Sequence, residues 1–213
     1  MHTLFRARGA SSLAPHIVLE EIGLPYLTKE VTIDQASRAD ILVDDQYLKI
    51  NPKGRLPALT IGDDVLTETP AILAYLAKRY PESRLLPPTL EAEVRCLEWM
   101  NWLTTTVHAT AFAQIVRPQR FVADQKDYPA VIARGRQGVG AAYAYIEEQL
   151  QGRDWAVPGQ YTIVDPYLLF FYLGSKGAGN PMHERYPAWT KIAERTIARP
   201  AVKRVLEKEG IPV

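Results

Sequence analysis

The sequence predicts an α/β domain followed by an all-α domain. Residues 1–80 alternate strand-like and helix-like segments in the order βαβ and then ββα, whereas residues 89–213 show almost only helical periodicity. Residues 81–88 lie between them and contain three prolines, which stop a helix and stiffen a connector. We therefore expect two domains, 1–80 and 89–213, joined by a linker at 81–88.

The first half is predicted to begin with a strand, a helix and a second strand. Leu4-Phe5 is typical of the end of a short buried strand. A helix is expected from about Leu13 to Ile22, because Pro15 is tolerated in its first turn and Gly23 suits the left-handed residue after its end. Tyr26 to Ile33 has the composition of a strand. Such a βαβ unit implies two parallel strands with a right-handed crossover.

The remainder of this half is predicted to add a hairpin and a helix. After an irregular or weakly helical stretch over 34–50, Leu56–Leu59 and Leu66-Thr67 read as strands joined by a turn at Gly62-Asp63-Asp64. The hairpin would form an antiparallel edge of the sheet. A helix is expected from Pro70 to Tyr80.

The start of that helix is a candidate binding site. Thr69 is predicted to cap it, since its hydroxyl can accept from a first-turn N–H, and Pro70 at the first position sacrifices no intrahelical bond. A helix N-terminus presents N–H donors and a partial positive charge. The Glu68-Thr69 corner therefore suits a small carboxylate or phosphate, although a purely structural cap would have the same sequence.

The second half is predicted to be helical. The expected helices cover Glu91 to about Val116, Tyr128–Leu150, Thr162 to about Gly174, and Pro187–Lys208 as one or two shorter pieces. The second of them should be loosened by its glycines, Gly135, Gly138 and Gly140. Thr162-Ile163-Val164-Asp165 fits a capping box, in which the two polar side chains each satisfy a backbone donor.

Composition excludes several classes of function. A hydrophobic content of 47% and a charged content of 23% are ordinary for a soluble globular protein, and a formal net charge of +1 gives nucleic-acid binding no electrostatic support. The single cysteine, Cys96, rules out an intrachain disulfide and suits a reducing compartment. The sequence starts without the apolar run of a signal peptide, and its longest apolar patch is too short to span a bilayer. We expect a cytosolic protein with no membrane partner.

Several motifs together resemble the cytosolic glutathione transferases. The segments concerned are Asn51-Pro52-Lys53-Gly54-Arg55-Leu56-Pro57-Ala58-Leu59, Gly9-Ala10-Ser11-Ser12-Leu13-Ala14-Pro15-His16-Ile17, Glu98-Trp99-Met100-Asn101-Trp102 with His108, the proline-rich linker and the Thr-x-x-Asp box. The first is similar to the segment that leads to the family's cis-proline, and the second to the first-helix motif of the bacterial beta class. The resemblance covers essentially the full chain. It implies a thioredoxin-like glutathione-binding domain at 1–80, an all-α substrate-binding domain at 89–213, and a homodimer.

The resemblance also implies a glutathione site and the role of each of its residues. Those residues are Ser11, Ser12, Arg38, Leu56, Pro57, Glu68, Thr69, Asn101, Thr105 and His108. Glutathione would be a co-substrate, its γ-glutamyl end at Glu68-Thr69 and its glycyl carboxylate at Arg38. The Leu56 backbone would pair with the cysteinyl segment across the cis-proline Pro57. His108 would hydrogen-bond near the sulfur, and Asn101 and Thr105 would contact the peptide.

Ser11 and Ser12 are the candidates for activating the thiol. A thiol must be ionised to act as a nucleophile, and hydroxyls and backbone N–H groups at the entry to a helix can all point at one sulfur atom. The alternative is that the two serines only cap the helix. Beta-class proteins usually carry a cysteine where this chain has Ser11, and a serine cannot form their mixed disulfide with glutathione. Arg6 stands where a tyrosine is common, and its guanidinium would either favour the thiolate or lie in solvent.

Asn101 and His108 are predicted to form a polar stripe. They lie seven residues apart, two helical turns, with Thr104 or Thr105 between them. The stripe would face the ligand cleft or would consist of satisfied core polar groups. The other histidines show no metal-ligand spacing, so no metal is expected.

The leading hypothesis is a glutathione transferase in which Ser11 and His108 are catalytic and the thiolate attacks a small apolar electrophile. Two alternatives are a non-catalytic glutathione-binding or ligand-binding protein of the same fold and a glutathione-dependent isomerase or dehalogenase. Thiol–disulfide reduction is disfavoured, because Cys96 lies in a long helix and not at the entry to the first one. The substrate pocket is expected to be lined by the loop after Phe5 and by the helices that contain Phe112, Ile115 and Phe121.

Overall fold

The computed structural model describes residues 1–33 and 45–212. Within these ranges, the first half contains β1 (His2–Arg6), α1 (Leu13–Ile22), β2 (Tyr26–Glu30), α2 (Asp45–Leu48), β3 (Ala58–Ile61), β4 (Asp64–Thr67) and α3 (Thr69–Arg79). The described strands form one mixed sheet in the order β2-β1-β3-β4. β1 and β2 are parallel, with His2 opposite Tyr26, and the β1–β3 and β3–β4 pairs are antiparallel. The predicted βαβ-ββα order is confirmed.

The helices α1 and α3, which pack against each other, bury apolar stripes. Leu13, Ile17 and Val18 of α1 are fully buried, as are Ile72 and Leu73 of α3. α1 ends where the sequence predicts, because Gly23 adopts a φ of 76° and its N–H bonds to the carbonyl of Leu19. β2 is shorter than expected, and four of its five residues are exposed at the edge of the sheet.

The prediction that Thr69 caps α3 is wrong. Thr69 is the first helical residue, and Glu68 occupies the cap position with a φ of 71°. A positive φ is uncommon for a residue with a side chain and marks a corner that surrounding contacts must hold. The buried Thr69 hydroxyl donates instead to the Ser11 hydroxyl, so the residue connects α3 to the entry of α1.

The second half is helical, as predicted. Its helices are α4 (Leu90–Trp102), a π-helical segment (Leu103–Phe112), α5 (Ala113–Val116), α6 (Tyr128–Leu150), α7 (Val164–Gly177), α8 (Met182–Arg185), α9 (Pro187–Ile197) and α10 (Pro200–Lys208), with 3₁₀ turns at Pro81–Ser83, Pro118–Arg120 and Gln125–Asp127. The long helix predicted from Glu91 to Val116 is continuous, but its middle third has the wider π-helical turn. None of the helices in the described ranges is long and apolar enough to cross a membrane.

Two local predictions in this half are confirmed, and the role predicted for Gly135 is corrected. α6 has the predicted bounds. At the start of α7, the Asp165 carboxylate accepts from the backbone N–H groups of Thr162 and Ala156, and the Thr162 hydroxyl accepts from Val164. The prediction that Gly135 loosens α6 is corrected. A Cβ added at Gly135 would lie 2.8 Å from the carbonyl oxygen of Ala111, so the glycine permits close packing of α6 on the neighbouring helix.

The two halves share a core, and charged contacts fasten the last helix to the first. One continuous cluster of buried side chains runs from the sheet and α1 to α7 and α9. The buried His16 ring of α1 lies 2.6 Å from a carboxylate oxygen of Glu209, which follows α10. Glu20 of α1 accepts from Arg204 and Lys208 of α10 at 2.6 and 2.8 Å. α1, which leads out of the Ser11 loop, is thus held from both domains.

Candidate functional site

A cavity of about 360 Å³ lies between the first half and the helical half. Its walls come from the loop before α1, the turn before β3, the start of α3, the π-helical segment and α7. The predicted site residues that line it are Ser11, Leu56, Pro57, Glu68, Thr69 and His108. Its volume falls in the range of sites for small organic ligands.

Ser11 lies at the centre of the polar wall. Its side chain is 4% exposed, donates to the Leu56 carbonyl over 3.4 Å and accepts from the Thr69 hydroxyl over 3.3 Å. Both bonds are longer than the usual 2.7–2.8 Å for hydroxyl pairs and are therefore weak. The Ser11 hydroxyl can turn toward a ligand atom at little cost.

The turn before β3 is fastened by hydrogen bonds to the carbonyl of Arg55. The Tyr47 hydroxyl and the Asn51 amide each donate to that oxygen over 2.7 Å. The next peptide bond, Leu56-Pro57, is cis, which agrees with the resemblance drawn from the sequence. The turn brings the Leu56 backbone to the cavity wall beside Ser11.

The acidic corner of the cavity is occupied by an exposed ion pair. Lys53 donates to the Glu68 carboxylate over 2.8 Å and to the Thr67 hydroxyl over 2.9 Å. Both charged side chains are more than half exposed, so the pair contributes little to stability. The Glu68 carboxylate therefore lies at the mouth of the cavity, where a ligand ammonium can share or replace Lys53.

His108 forms part of the helical wall and is neutral. Its ring packs edge-on against Phe170 and Phe171, with centroids 5.3 and 5.8 Å apart. Burial and, to a smaller extent, the positive charge of Arg120 lower the pKa of His108 from its ordinary value to about 4. At neutral pH the imidazole therefore has one N–H to donate and no charge with which to attract a thiolate.

Thr104 and Tyr167 complete the wall beside His108. Their hydroxyls lie 3.1 Å apart, and burial raises the pKa of Tyr167 to about 12, so its phenol stays protonated. From the sequence, Thr104 is only an alternative to Thr105, and no motif predicts a site role for Tyr167. Periodicity could have assigned both to buried helix faces, but it could not have shown that the two helices meet at a cavity.

Three predicted site residues lie outside the cavity walls. The fully buried Ser12 donates to the Ala7 carbonyl and accepts from the Ala7 N–H, so it closes the loop before α1. Asn101 and Thr105 are exposed, and the Thr105 hydroxyl donates to the Asn101 carbonyl. The predicted stripe from Asn101 to His108 is wrong, because the π-helical turns that begin at Leu103 rotate His108 away from the face of Asn101.

The other residues named from the sequence have different outcomes. Arg38 lies outside the described residues. Arg6 does not line the cavity, and its guanidinium lies 3.5 Å from the Glu30 carboxylate. The loop after Phe5 and the helix that contains Phe112 line the cavity as expected, although the side chains of Ile115 and Phe121 are not part of the wall.

Cys96 is also remote from the cavity. It is fully buried in α4, and burial raises the pKa of its thiol to about 12. A thiol in that state is a poor nucleophile.

The first half has a mixed four-stranded sheet with a cis-proline before β3, and the second half is helical. The described chain is therefore a thioredoxin-like domain followed by a helical domain. A family model described as glutathione S-transferase, N-terminal domain, matches residues 2–78. Glutathione S-transferase GstA of Escherichia coli O157:H7 is 31% identical over 210 residues, which cover 98% of both chains. The chain belongs to the glutathione S-transferase family.

Solved structures agree with this assignment. A glutathione transferase homolog from Sulfitobacter, crystallised with bound glutathione, superposes with a TM-score of 0.89 at 31% identity, covering 100% of this chain and 99% of the other. A bacterial beta class glutathione S-transferase from Sphingomonas chungbukensis superposes with a TM-score of 0.81 at 30% identity, covering 99% and 100%. The N-terminal thioredoxin-like domain and the helical C-terminal domain are those of this fold.

Proposed function

We propose that this protein is a glutathione transferase that uses Ser11, and not a cysteine, to hold the glutathione thiolate. The observation that carries the proposal is the position of the Ser11 hydroxyl, which reaches the cavity beside the cis Leu56-Pro57 turn and is retained there by two weak hydrogen bonds. The thiolate then attacks a small electrophile bound against the helical wall.

The protein supplies hydrogen bonds to the sulfur. The Ser11 hydroxyl would leave the Leu56 carbonyl and donate to the sulfur, with Thr69 donating to the Ser11 oxygen behind it. Neutral His108 would add one N–H from the opposite wall. Hydrogen bonds to the charged form of a group lower its pKa, so these donors favour the thiolate at neutral pH.

The rest of glutathione would be held along the first half. The γ-glutamyl ammonium would lie at Glu68 and its carboxylate at the N-terminus of α3, where the dipole favours an anion. The Leu56 backbone would pair with the cysteinyl segment. Arg38 remains the proposed partner of the glycyl carboxylate, and Ser12 acts through the loop that it closes. Asn101 and Thr105 remain proposed peptide contacts, although the single chain places neither on the cavity wall.

The domain limits and the assembly are also proposals. We propose domains at 1–80 and 89–213 with a linker at 81–88, a homodimer, and a cytosolic location. We propose no metal in the reaction, because hydrogen bonds alone can ionise the thiol.

The test is calorimetry with glutathione, followed by a conjugation assay on a panel of electrophiles. We expect binding of one glutathione per chain and turnover of at least one electrophile. Binding without any turnover would favour the alternative of a non-catalytic binding protein, and turnover without net conjugation would favour a glutathione-dependent isomerase or dehalogenase.

A further inference from the structure

The helical wall of the cavity carries a pair of hydroxyl groups, those of Thr104 and Tyr167, that have no role in the proposed function. Both residues line the cavity, and Thr104 lies four residues before His108 on the same π-helical segment. The two hydroxyl oxygens lie 3.1 Å apart, within hydrogen-bond distance. Each hydroxyl has one proton to donate, so one proton of the pair is left for a further acceptor.

The burial of the pair decides which proton is left. The Tyr167 side chain is fully buried, whereas Thr104 is partly exposed and reaches the cavity. Neither hydroxyl has another hydrogen-bond partner in the part of the chain that the structure describes. If Thr104 donated to Tyr167, the phenolic proton would be buried without an acceptor, which costs free energy. Tyr167 therefore donates to Thr104, and the Thr104 proton is directed to the cavity.

A second tyrosine–threonine pair in the helical half shows how such a proton is used inside the protein. The Tyr172 hydroxyl donates to Thr190 over the same 3.1 Å, and Thr190 donates onward to the Met182 carbonyl over 3.2 Å. Tyr172 and Thr190 are buried, and neither lines the cavity. Their series of donors ends on a protein carbonyl, whereas the series at Thr104 ends at the cavity. The Thr104 hydroxyl is therefore available to a bound molecule.

Packing and charge place this donor toward the polar wall. Tyr167 lies in the first turn of α7, which packs against α1, the helix that the Ser11 loop enters. The negative charge of Glu68 is near enough to contribute to the raised pKa of Tyr167. Along the π-helical segment, Thr104 precedes His108, whereas the apolar lining residues follow it. The pair thus lies on the side of the cavity where the thiolate is proposed to bind.

We propose that Thr104 is a further catalytic residue, whose hydroxyl donates to the glutathione thiolate, and that Tyr167 is a positioning residue that orients this hydroxyl. The inference rests on the proposed function and adds to its set of sulfur donors. Ser11, with Thr69 behind it, reaches the sulfur from one wall, and Thr104, with Tyr167 behind it, reaches the sulfur from the other. The thiol proton leaves to solvent, and each donor lowers the pKa of the thiol.

The test measures ionisation of the bound thiol. Thr104→Val removes the hydroxyl and keeps the branched shape of the side chain. The pKa of bound glutathione, followed by the ultraviolet absorbance of the thiolate, should rise by about one pH unit, the effect expected for a lost hydrogen bond to a charged group. The pH–rate profile for chlorodinitrobenzene should move to higher pH by the same amount, with conjugation at neutral pH slowed about tenfold. Thr104→Ser retains the hydroxyl and should restore both.

A second variant tests the positioning role. Tyr167→Phe should move the profile in the same direction by a smaller amount, because Thr104 keeps its hydroxyl and loses the donor that orients it. The double variant with Thr104→Val should be no slower than Thr104→Val alone, since Tyr167 acts only through Thr104. Tyr172→Phe is the matched control, because it breaks the same kind of pair outside the cavity and should leave the profile in place. Additive effects of the two cavity variants would reject the positioning role.

The other outcomes reject the contact with the sulfur. A shifted profile in Ser11→Ala with an unchanged profile in Thr104→Val would reject it and leave the proposed function in place. Weaker calorimetric binding of glutathione to Thr104→Val, with an unchanged thiol pKa, would assign the hydroxyl to another part of the peptide. Slower turnover with unchanged binding and an unchanged thiol pKa would assign it to the electrophile. A bound thiol that stays protonated at neutral pH in the unmutated protein, with no turnover, would reject the inference together with the proposed function.

Discussion

Ser11 and Ser12 are neighbours in the chain, but their hydroxyls reach different surroundings. The Ser11 hydroxyl lines the cavity, whereas the Ser12 hydroxyl is fully buried and bonds to both backbone groups of Ala7. A donor that reaches a ligand and a donor that closes a loop should respond differently to removal. The pair therefore provides a matched test of the catalytic residue.

Ser11→Ala should raise the pKa of the bound thiol and slow conjugation about ten- to a hundredfold, at roughly 1.4 kcal/mol for each factor of ten. The pH–rate profile with saturating glutathione should shift to higher pH. Ser12→Ala should lower the free energy of unfolding by about 1–3 kcal/mol, since it leaves buried backbone groups unpaired, and should leave the profile in place. A normal rate in Ser11→Ala together with a lost rate in Ser12→Ala or His108→Ala would assign activation of the thiol to Ser12 or His108 and not to Ser11. Ser11→Cys should permit a mixed disulfide with glutathione.

Glu68→Ala should weaken glutathione binding by about 1.5–3 kcal/mol, because it removes the carboxylate proposed to hold the γ-glutamyl ammonium. Lys53→Ala is the control, since it removes only the exposed partner of Glu68 and should change affinity by less than about 1 kcal/mol. Calorimetry measures both. Unchanged affinity in Glu68→Ala would place the ammonium elsewhere.

The pKa of His108 predicts the direction of a pH effect on stability. The folded protein holds this pKa near 4, whereas an unfolded histidine titrates near its ordinary value of 6.5. Between these pH values the unfolded chain binds the proton and the folded chain does not. The contribution of neutral His108 to the free energy of unfolding is therefore complete above about pH 6.5 and is lost as the pH falls toward 4. His108→Gln should flatten this part of the curve of unfolding free energy against pH. A ring resonance of His108 that titrates near pH 6.5 in the folded protein would contradict the prediction.

At the scale of elements, local signals predicted the ends of helices better than their pitch. Gly23 and the Thr162–Asp165 box act within one turn, and the structure follows both. The π-helical segment leaves no such local signal in the sequence, and in the structure it packs against α6. The predicted stripe from Asn101 to His108 assumes an α-helical spacing and is wrong for that reason.

The site divides in the same way. Ser11, the Leu56-Pro57 turn and the Glu68-Thr69 corner each belong to a short motif, and all of them line the cavity. Tyr167, Arg117 and Arg120 join the cavity through the packing of segments distant in sequence from the Ser11 loop, which a single sequence does not specify.

The contact of α6 with the π-helical segment and α5 can be tested through two glycines of the same helix. A Cβ at Gly135 would lie 2.8 Å from both the Ala111 carbonyl oxygen and the Gln114 Cβ, whereas a Cβ at Gly140 meets nothing within 4 Å. Gly135→Ala should therefore destabilise the fold by about 1–3 kcal/mol through overpacking. Gly140→Ala should stabilise it by up to about 1 kcal/mol, since alanine favours the helix. Denaturant unfolding measures both, and equal effects would show that the close approach is not limiting.

At the scale of the whole molecule, α4 has an apolar face that the single chain leaves uncovered. Leu90, Val94 and Leu97 are 70%, 48% and 37% exposed, and their spacing places them on one side of the helix. Neighbouring exposed apolar side chains on one face of a helix are typical of protein interfaces. This face supports the proposal of a homodimer.

Light scattering at micromolar concentration should give about twice the chain mass of 23.9 kDa, because an interface of ordinary size persists at that concentration. Val94→Asp places a charge in the middle of the face and should lower the measured mass toward that of one chain. Ala123→Asp adds the same charge to an exposed loop and should leave the mass unchanged. A single-chain mass for the unmutated protein across the micromolar range would reject the dimer. A dimer unaffected by Val94→Asp would mean that the chains meet through another surface, and the exposure of the α4 face would then need a different explanation.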